Sequence, residues 1–326
     1  MQPRLFLGSS GESLPVLEKV KNYFEDVFDC ILWTNAFTRN KSNLDSLIVQ
    51  ARMADFSILV AMKDDIVIER GETYSVARDN VIFEFGLFLG ATGLGHSFML
   101  AEEGIDLPSD LDGITIDKFV WKDGQYNSLD VVCNHIKKEL TKVSESSDLG
   151  LLPSTALAIG YYYSFIKKVC EDIHSAGKIK TGDGADAKEI IVKDFKFHVI
   201  IPADLDDNGV EDFKILYNKK QSLKNAMTGS MSSTRRGYPF VFKVEPPGQN
   251  EQGEITIDLF DVPTTLNTLV HTIKLYMPPD QLGKNENIER LERRELANFA
   301  KALEFLISKN VSTKNHVEVK TAITVD

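Results

Sequence analysis

A single carboxylate interrupts an apolar run in the first third of this sequence. The segment DNVIFEFGLFLG (79–90) is predicted to form a helix, and Glu84 is the only charged residue between Val81 and Thr92. A carboxylate that is removed from water is costly unless something pairs with it. The residues leave two interpretations open. Either Glu84 lies on a polar stripe or pairs with Arg78, or a cleft holds it ready to meet a ligand.

A loop of small residues is the second chemical feature. Gly8, Ser9 and Ser10 follow the apolar stretch RLFL and precede a predicted helix. Backbone N–H groups in such a loop can approach a phosphate, although a tight turn between a strand and a helix explains the same residues. The loop lacks the lysine of a P-loop, which disfavours hydrolysis of nucleoside triphosphates.

Repeated strand–helix units would position these residues. RLFLGSS, CILWT, FSILVAM and HSFMLAE are predicted strands that alternate with predicted helices. Near-continuous apolar strands predict a parallel sheet with helices on both faces, an α/β fold. Ligands of such sheets bind at the carboxyl ends of the strands. Trp33, at the end of the second predicted strand, would lie there too, and its indole either stacks on a ring or belongs to the core.

The second half of the chain follows another pattern, which predicts a separate α+β domain. YPFVFKVEPP and GEITIDLFDV alternate polar and apolar residues and predict an antiparallel pair. Residues 1–150 carry 14 Lys and Arg against 24 Asp and Glu, whereas residues 151–326 carry 23 against 24. This asymmetry supports two modules. We predict domains at 1–143 and 155–326, joined by a polar linker at 144–154.

The composition disfavours several classes of protein. Three widely spaced cysteines without a CxxC pair predict neither a disulfide framework nor a metal site. The net charge of −11 argues against binding of a nucleic-acid polymer. No uncharged apolar stretch reaches the ~20 residues of a membrane span, and the N-terminal apolar core is too short for a signal peptide. We therefore expect a cytoplasmic protein that does not contact a membrane.

The first module resembles the TIR-like, flavodoxin-like domains of bacterial antiphage effectors. The resemblance runs in order through RLFLGSS, ADFSILVAM and RDNVIFEFGLFLGATG and covers residues 4–140. It implies an NAD glycohydrolase, in which Glu84 is the catalytic residue for cleavage of the nicotinamide–ribose bond. NAD would be the substrate and no cofactor or metal would be needed. Gly8, Ser9, Ser10, Trp33 and Arg78 are the candidate NAD-binding residues.

The second module resembles STING, the receptor for cyclic dinucleotides. LAIGYYYSFI (157–166), HVIIPAD and IDLFDVPTTLNTL (257–269) carry the resemblance, which continues to about residue 322. It implies a homodimer that binds one two-fold symmetric ligand. Phe165 takes the position of a base-stacking aromatic, although a core role fits its spacing as well. Arg235 or Arg236 is the candidate contact to a phosphate or to guanine, with Tyr238 beside it, although two solvated arginines fit the same residues.

Asp261 carries the prediction of base selectivity. A carboxylate can accept from the N1–H and N2–H₂ donors of guanine, a pair of donors that adenine lacks. The alternative is a helix N-cap, a common role for Asp between a strand and a helix. The resemblance implies that Asp261 and Thr264 contact the ligand, which favours cyclic di-GMP.

Together the two resemblances indicate a bacterial TIR–STING effector of cyclic-oligonucleotide signalling. Cyclic di-GMP would drive the homodimer into a higher assembly, such as a filament, in which the TIR-like module destroys NAD. Two alternatives stay open. The first module could be a non-catalytic adaptor that recruits partners, or it could hydrolyse a different nucleotide N-glycosidic bond.

Overall fold

The computed structural model divides the chain into two compact units, Met1–Gly150 and Leu151–Asp326. It describes residues 2–36, 43–111, 114, 116–122, 125–145, 153–181, 188–205, 209–228, 240–249, 255–276 and 286–325. In this described part, no helix combines the length and the apolar character needed to cross a bilayer.

A mainly parallel sheet forms the centre of the first unit. Its strands run in the order β2–β1–β3–β6–β7–β8, and β8 alone among them pairs antiparallel, with β7. β1 and β3 are buried at every residue, as their continuous apolar sequences predict. The strands are β1 (Arg4–Ser9), β2 (Asp29–Leu32), β3 (Phe56–Ala61), β6 (Ser97–Glu102), β7 (Ile116–Lys122) and β8 (Gln125–Asn127).

Helices cover both faces of this sheet. The five α-helices of the described part of this unit are α1 (Leu14–Phe24), α2 (Trp33–Ala36), α3 (Asn43–Met53), α4 (Asp79–Thr92) and α5 (Leu129–Glu145). One hydrophobic cluster joins α1 and α5 to the sheet through residues such as Leu17 and Ile136. A second cluster joins α3 and α4 through residues such as Phe85 and Phe88. The predicted α/β fold is confirmed.

A β-hairpin that the sequence analysis does not predict leads into α4. Its strands are β4 (Asp65–Glu69) and β5 (Glu72–Val76). Arg70 and Gly71 form the turn with φ values of 52° and 86°. Two consecutive left-handed residues are the geometry of a tight hairpin turn whose twist matches that of the strands.

The second unit is built around one long strand. β10 pairs antiparallel with β9 through its first residues and parallel with β13 and β14 further along. The predicted antiparallel pair is confirmed, with Val241 of β12 opposite Phe260 of β13. The strands of this sheet are β9 (Lys178–Thr181), β10 (Lys188–Pro202), β11 (Lys224–Met227), β12 (Phe240–Gln249), β13 (Ile255–Asp261) and β14 (Val317–Ile323).

Helices pack on this sheet through aromatic side chains. A π-helical turn (Tyr162–Ile166) joins the first two helices, and its Phe165 ring packs against Phe197 of β10. The helices are α6 (Pro153–Tyr161), α7 (Lys167–Ala176), α8 (Gly209–Lys220), α9 (Thr265–Tyr276), α10 (Glu286–Ser308) and α11 (Val311–Lys314). The predicted linker is too long at both ends, because residues 144 and 145 belong to α5 and residues 153 and 154 belong to α6.

Candidate functional site

Helix α4 holds Glu84 beside the central sheet of the first unit. Val81, Phe85 and Phe88 form the buried face of the helix. Glu84 is only partly buried, but its Oε2 atom is shielded from solvent. No hydrogen-bond partner for this oxygen is found in the described part of the chain. Burial alone raises the pKa of Glu84 from 4.5 to about 7.

Gly8 makes room for this carboxylate at the carboxyl end of β1. A Cβ atom added to Gly8 would lie 3.5 Å from Glu84 Oε2. The same atom would lie 3.1 Å from Cε1 of Phe6 and 3.3 Å from Cγ of Leu59. The structure therefore brings together two of the predicted site residues, and the missing side chain of Gly8 leaves space for the carboxylate.

Arg78 does not neutralise Glu84. Its Nη2 atom lies 3.0 Å from Oε1 of Glu12 and 3.4 Å from Oδ1 of Asp65, the first residue of the hairpin. The pairing of Arg78 with Glu84 that the sequence allows is therefore wrong. The contact of Arg78 to a diphosphate stays a prediction.

Ser9, the last residue of β1, and Ser10, the first residue of the loop that follows, are both buried. The Ser9 hydroxyl donates to the carbonyl of Ser10 at 2.9 Å, and the Ser10 hydroxyl oxygen accepts from the backbone N–H of Ser13 at 3.1 Å. Ser13 in turn donates its hydroxyl to Asp64, just after β3. These bonds give both serines a role in shaping the loop, and their contact to NAD stays a prediction.

Trp33 occupies a different element from the predicted one. β2 ends at Leu32, and Trp33 is the first residue of the short helix α2. The partly buried indole packs against the hydrophobic clusters of both sheet faces. The Trp33 indole therefore makes core contacts, and its stacking on a nucleotide ring stays a prediction.

An ion pair between the exposed Lys63 and the buried Glu102, at the same edge of the sheet, escaped the sequence analysis. Glu102, the last residue of β6, accepts from the backbone N–H of Lys63 at 3.1 Å. The Lys63 ammonium lies 3.7 Å from the other carboxylate oxygen. Lys63 lies two residues after the buried strand β3, and this position was the available signal, because a charge close to a buried strand needs a partner.

In the second unit, Asp261 has two partners on different helices. It is the last residue of β13 and is 4% exposed. Its Oδ2 atom accepts from the Tyr161 hydroxyl at 2.7 Å, and its Oδ1 atom lies 3.5 Å from the Lys214 ammonium. Because α9 begins at Thr265, the N-cap position belongs to Thr264. The helix-cap alternative for Asp261 is therefore wrong.

Tyr161 and Lys214 are the partners that sequence reasoning missed. Tyr161 lies in the aromatic run GYYYSF, so the sequence did mark its neighbourhood. Lys214 lies in EDFKILYNKK, where it looks like any lysine of an amphipathic helix. Nothing local distinguishes it, because its burial depends on how α8 packs.

The remaining ligand candidates of this unit differ in position. Phe165 is 1% exposed and packs against Tyr161 and Phe197, which fits the core alternative. Thr264 is partly buried ahead of α9. Arg235, Arg236 and Tyr238 lie outside the described residues.

Two family models match the chain. Residues 4–121 match the TIR domain of CAP12/Pycsar effector proteins. Residues 153–304 match the prokaryotic STING domain.

Characterised relatives match over nearly the whole chain. CD-NTase-associated protein 12 of Sphingobacterium faecium is 51% identical over 325 residues, which are 99% of each chain. The protein of the same name from Flavobacterium daejeonense is 37% identical over 98% of this chain and 99% of that one. Among solved structures, a bacterial STING in complex with c-di-GMP is 34% identical with a TM-score of 0.41, and it covers 53% of this chain and 96% of that one.

Proposed function

Because this chain belongs to the CD-NTase-associated protein 12 family and joins a TIR domain to a STING domain, we propose that it is an antiphage effector that hydrolyses NAD in response to cyclic di-GMP. One observation carries the enzymatic part of the proposal. Glu84 presents a carboxylate at the carboxyl end of β1, shielded from solvent and with a pKa raised to about 7. Such a group is typical of a catalytic site in an open α/β sheet.

The carboxylate suits cleavage of the nicotinamide–ribose bond. When the C–N bond breaks, both bonding electrons leave with nicotinamide, whose ring becomes neutral. Positive charge then develops on the ribose as an oxocarbenium ion. An ionised Glu84 stabilises that charge, as carboxylates do in glycoside hydrolysis. Water adds to the ribose carbon and loses a proton, which gives ADP-ribose and nicotinamide.

The substrate itself favours the reactive form of Glu84. The nicotinamide ring of NAD is positively charged, and a nearby positive charge favours an ionised carboxylate. NAD that enters the site is therefore expected to lower the pKa of Glu84 from about 7. Burial disfavours the ionised Glu84 carboxylate before NAD binds. It also strengthens the electrostatic interaction between this carboxylate and the positive charge of NAD.

Guanine recognition is assigned to Asp261 in the second unit. An ionised carboxylate only accepts hydrogen bonds, and guanine offers adjacent N1–H and N2–H₂ donors. Two copies of the unit in a homodimer would supply one such carboxylate to each base of cyclic di-GMP. Ligand binding would then promote the higher assembly in which the TIR units act.

The test measures nicotinamide release by the full chain with NAD, with and without cyclic di-GMP. We expect ligand-dependent release, and Glu84→Gln should lower the rate at least ~100-fold, the scale for loss of one electrostatic stabiliser. Binding of cyclic di-GMP to Glu84→Gln should match the wild type. This variant keeps the size of the side chain and removes its charge.

Three outcomes would contradict the proposal. Absence of release by folded, ligand-bound protein would favour a non-catalytic adaptor. Release of a base from another nucleotide but not from NAD would favour a different N-glycosidic substrate. Turnover of Glu84→Gln near the wild-type rate would remove Glu84 from the catalytic role.

A further inference from the structure

A buried lysine lies beside Asp261. Lys214 on α8 and Asp261 on β13 are both buried, and 3.5 Å separate the Lys214 Nζ and the Asp261 Oδ1. Tyr161 on α6 donates to the second carboxylate oxygen at 2.7 Å. Lysine and aspartate are rarely buried without a partner. In this pair each charge compensates the other, and loss of one would leave the other uncompensated.

The charge of Asp261 decides which base edge it can bind. An ionised carboxylate only accepts hydrogen bonds, so it suits the two adjacent donors of guanine. A protonated carboxyl offers one donor and one free acceptor. That pattern matches adenine, whose edge combines the N1 acceptor with the N6 amino donor.

We propose that Lys214 is a positioning residue for base selectivity, which keeps Asp261 ionised and so makes the site select guanine over adenine. This inference rests on the proposed recognition of cyclic di-GMP by Asp261. Lys214 acts through Asp261 and needs no contact to the ligand. The selectivity of the site is thereby set from α8, an element that the sequence analysis did not connect with the ligand.

The groups that face Asp261 keep this arrangement insensitive to pH in the wild type. In the described part of the chain, Tyr161 approaches from α6 and Lys214 from α8. On β13 itself, Asp258 lies three residues earlier, on the opposite face of the strand, and pairs with His198 at 3.2 Å. Because the Lys214 Nζ lies 3.5 Å from the carboxylate, we expect the wild type to prefer cyclic di-GMP to a similar degree at about pH 6 and about pH 8.5.

The experiment titrates cyclic di-GMP and cyclic di-AMP against the full chain at both pH values. Lys214→Met keeps an unbranched side chain without the charge, so Asp261 should be protonated at the lower pH. We expect its preference for cyclic di-GMP to fall at least ~10-fold at about pH 6 and to recover in part at about pH 8.5, where more of the carboxyl is ionised. Lys214→Arg keeps the charge and should keep the wild-type preference at both pH values. A purely structural lysine would not produce this pH dependence.

A double-mutant cycle decides the case even if Lys214→Met alone does not fold. Comparison of Asp261→Asn with Asp261→Asn/Lys214→Met measures how Lys214 affects base preference when the carboxylate is absent. If Lys214 acts through the charge of Asp261, the two variants should have the same base preference. A further change of preference in the double variant would overturn the inference.

The remaining outcomes separate this inference from the proposed function. If the wild type and Asp261→Asn show equal preference, guanine recognition by Asp261 fails and the role of Lys214 fails with it. If Asp261→Asn loses the preference but folded Lys214→Met keeps it at both pH values, only the inference about Lys214 is wrong. Equal losses in Lys214→Arg and Lys214→Met would assign the lysine to packing.

Discussion

Glu84 and Asp261 are both carboxylates with a buried oxygen, and the two units of the chain surround them in opposite ways. Glu84 Oε2 lies beside Gly8 with no hydrogen-bond partner in the described residues, and burial raises its pKa to about 7. Asp261 has the Lys214 ammonium on one oxygen and the Tyr161 hydroxyl on the other. The first environment opposes a negative charge, whereas the second supports it.

The difference fits the two roles that we propose. A catalytic carboxylate stabilises the transition state best when its charge is compensated only by the positive charge that the reaction creates. A base-recognising carboxylate needs a constant charge, so that its hydrogen-bond pattern stays fixed. The environment of each group, rather than its residue type, therefore assigns its function.

After Glu84→Gln itself, the largest expected effect comes from filling the space beside Glu84. Gly8→Val adds a branched side chain where even one Cβ atom would lie 3.1 Å from Phe6 and 3.5 Å from Glu84 Oε2. Displacement of the carboxylate by about 1 Å should lower NAD cleavage by about 10- to 100-fold. Binding of cyclic di-GMP should not change, because the second unit holds that site. Nicotinamide release and ligand titration measure the two effects.

Gly11→Ala is the matched control, in the loop that follows β1. A Cβ atom at Gly11 would meet nothing within 4 Å. This variant should therefore cleave NAD at close to the wild-type rate. Equal losses in both variants would assign the effect to the loop rather than to the space beside Glu84.

The sequence predicts best those elements whose burial is complete. β1, β3 and β6 were found because both faces of each strand are covered, so that most residues of each strand are apolar. The hairpin β4–β5 was missed, because it lies outside the six-stranded sheet and exposes Ile66 and Ile68. A strand without a buried face lacks the alternation on which the prediction depends.

The candidate sites show the same limit. Glu84 could be found because a charge in an apolar helix contradicts its local surroundings. The partners of Asp261 could not, because Tyr161 and Lys214 come from helices that are 100 and 47 residues away along the chain. Such a cluster exists only after the elements pack, and no local pattern encodes it.

The pH dependence of the two activities should separate the two carboxylates. A catalytic Glu84 with a pKa of about 7 must lose its proton to act. With saturating cyclic di-GMP, kcat/KM for NAD should rise about tenfold between about pH 6 and about pH 8, because this parameter reports the free enzyme. The midpoint for kcat should lie lower, since bound NAD carries positive charge. Affinity for cyclic di-GMP should change less than about twofold over the same range.

Residual activity of Glu84→Gln provides the control for this profile. It should lack the rise near pH 7, because the titrating group is gone. A rise that persists in the variant would belong to another residue. A wild-type profile that falls with pH would contradict ionised Glu84 as the active form.

The smallest expected effect concerns stability, and its sign distinguishes the unpaired carboxylate from a paired one. Because the pKa of Glu84 rises from 4.5 in its ordinary state to about 7 in the fold, the folded protein prefers the protonated form. The contribution of Glu84 to the free energy of unfolding therefore decreases as the pH rises through this range and stays low above it. Glu84→Gln removes the charge, so at about pH 8 the first unit should unfold at a temperature about 2–5 °C above the wild type. The difference should shrink toward pH 4.5.

Glu102→Gln is the contrasting variant, because Glu102 is buried against the Lys63 ammonium. Its loss leaves Lys63 without that charge and should lower the unfolding temperature at the same pH. Calorimetry of the ligand-free full chain measures both shifts, and a Glu84→Gln protein less stable than the wild type at about pH 8 would contradict an uncompensated charge at Glu84.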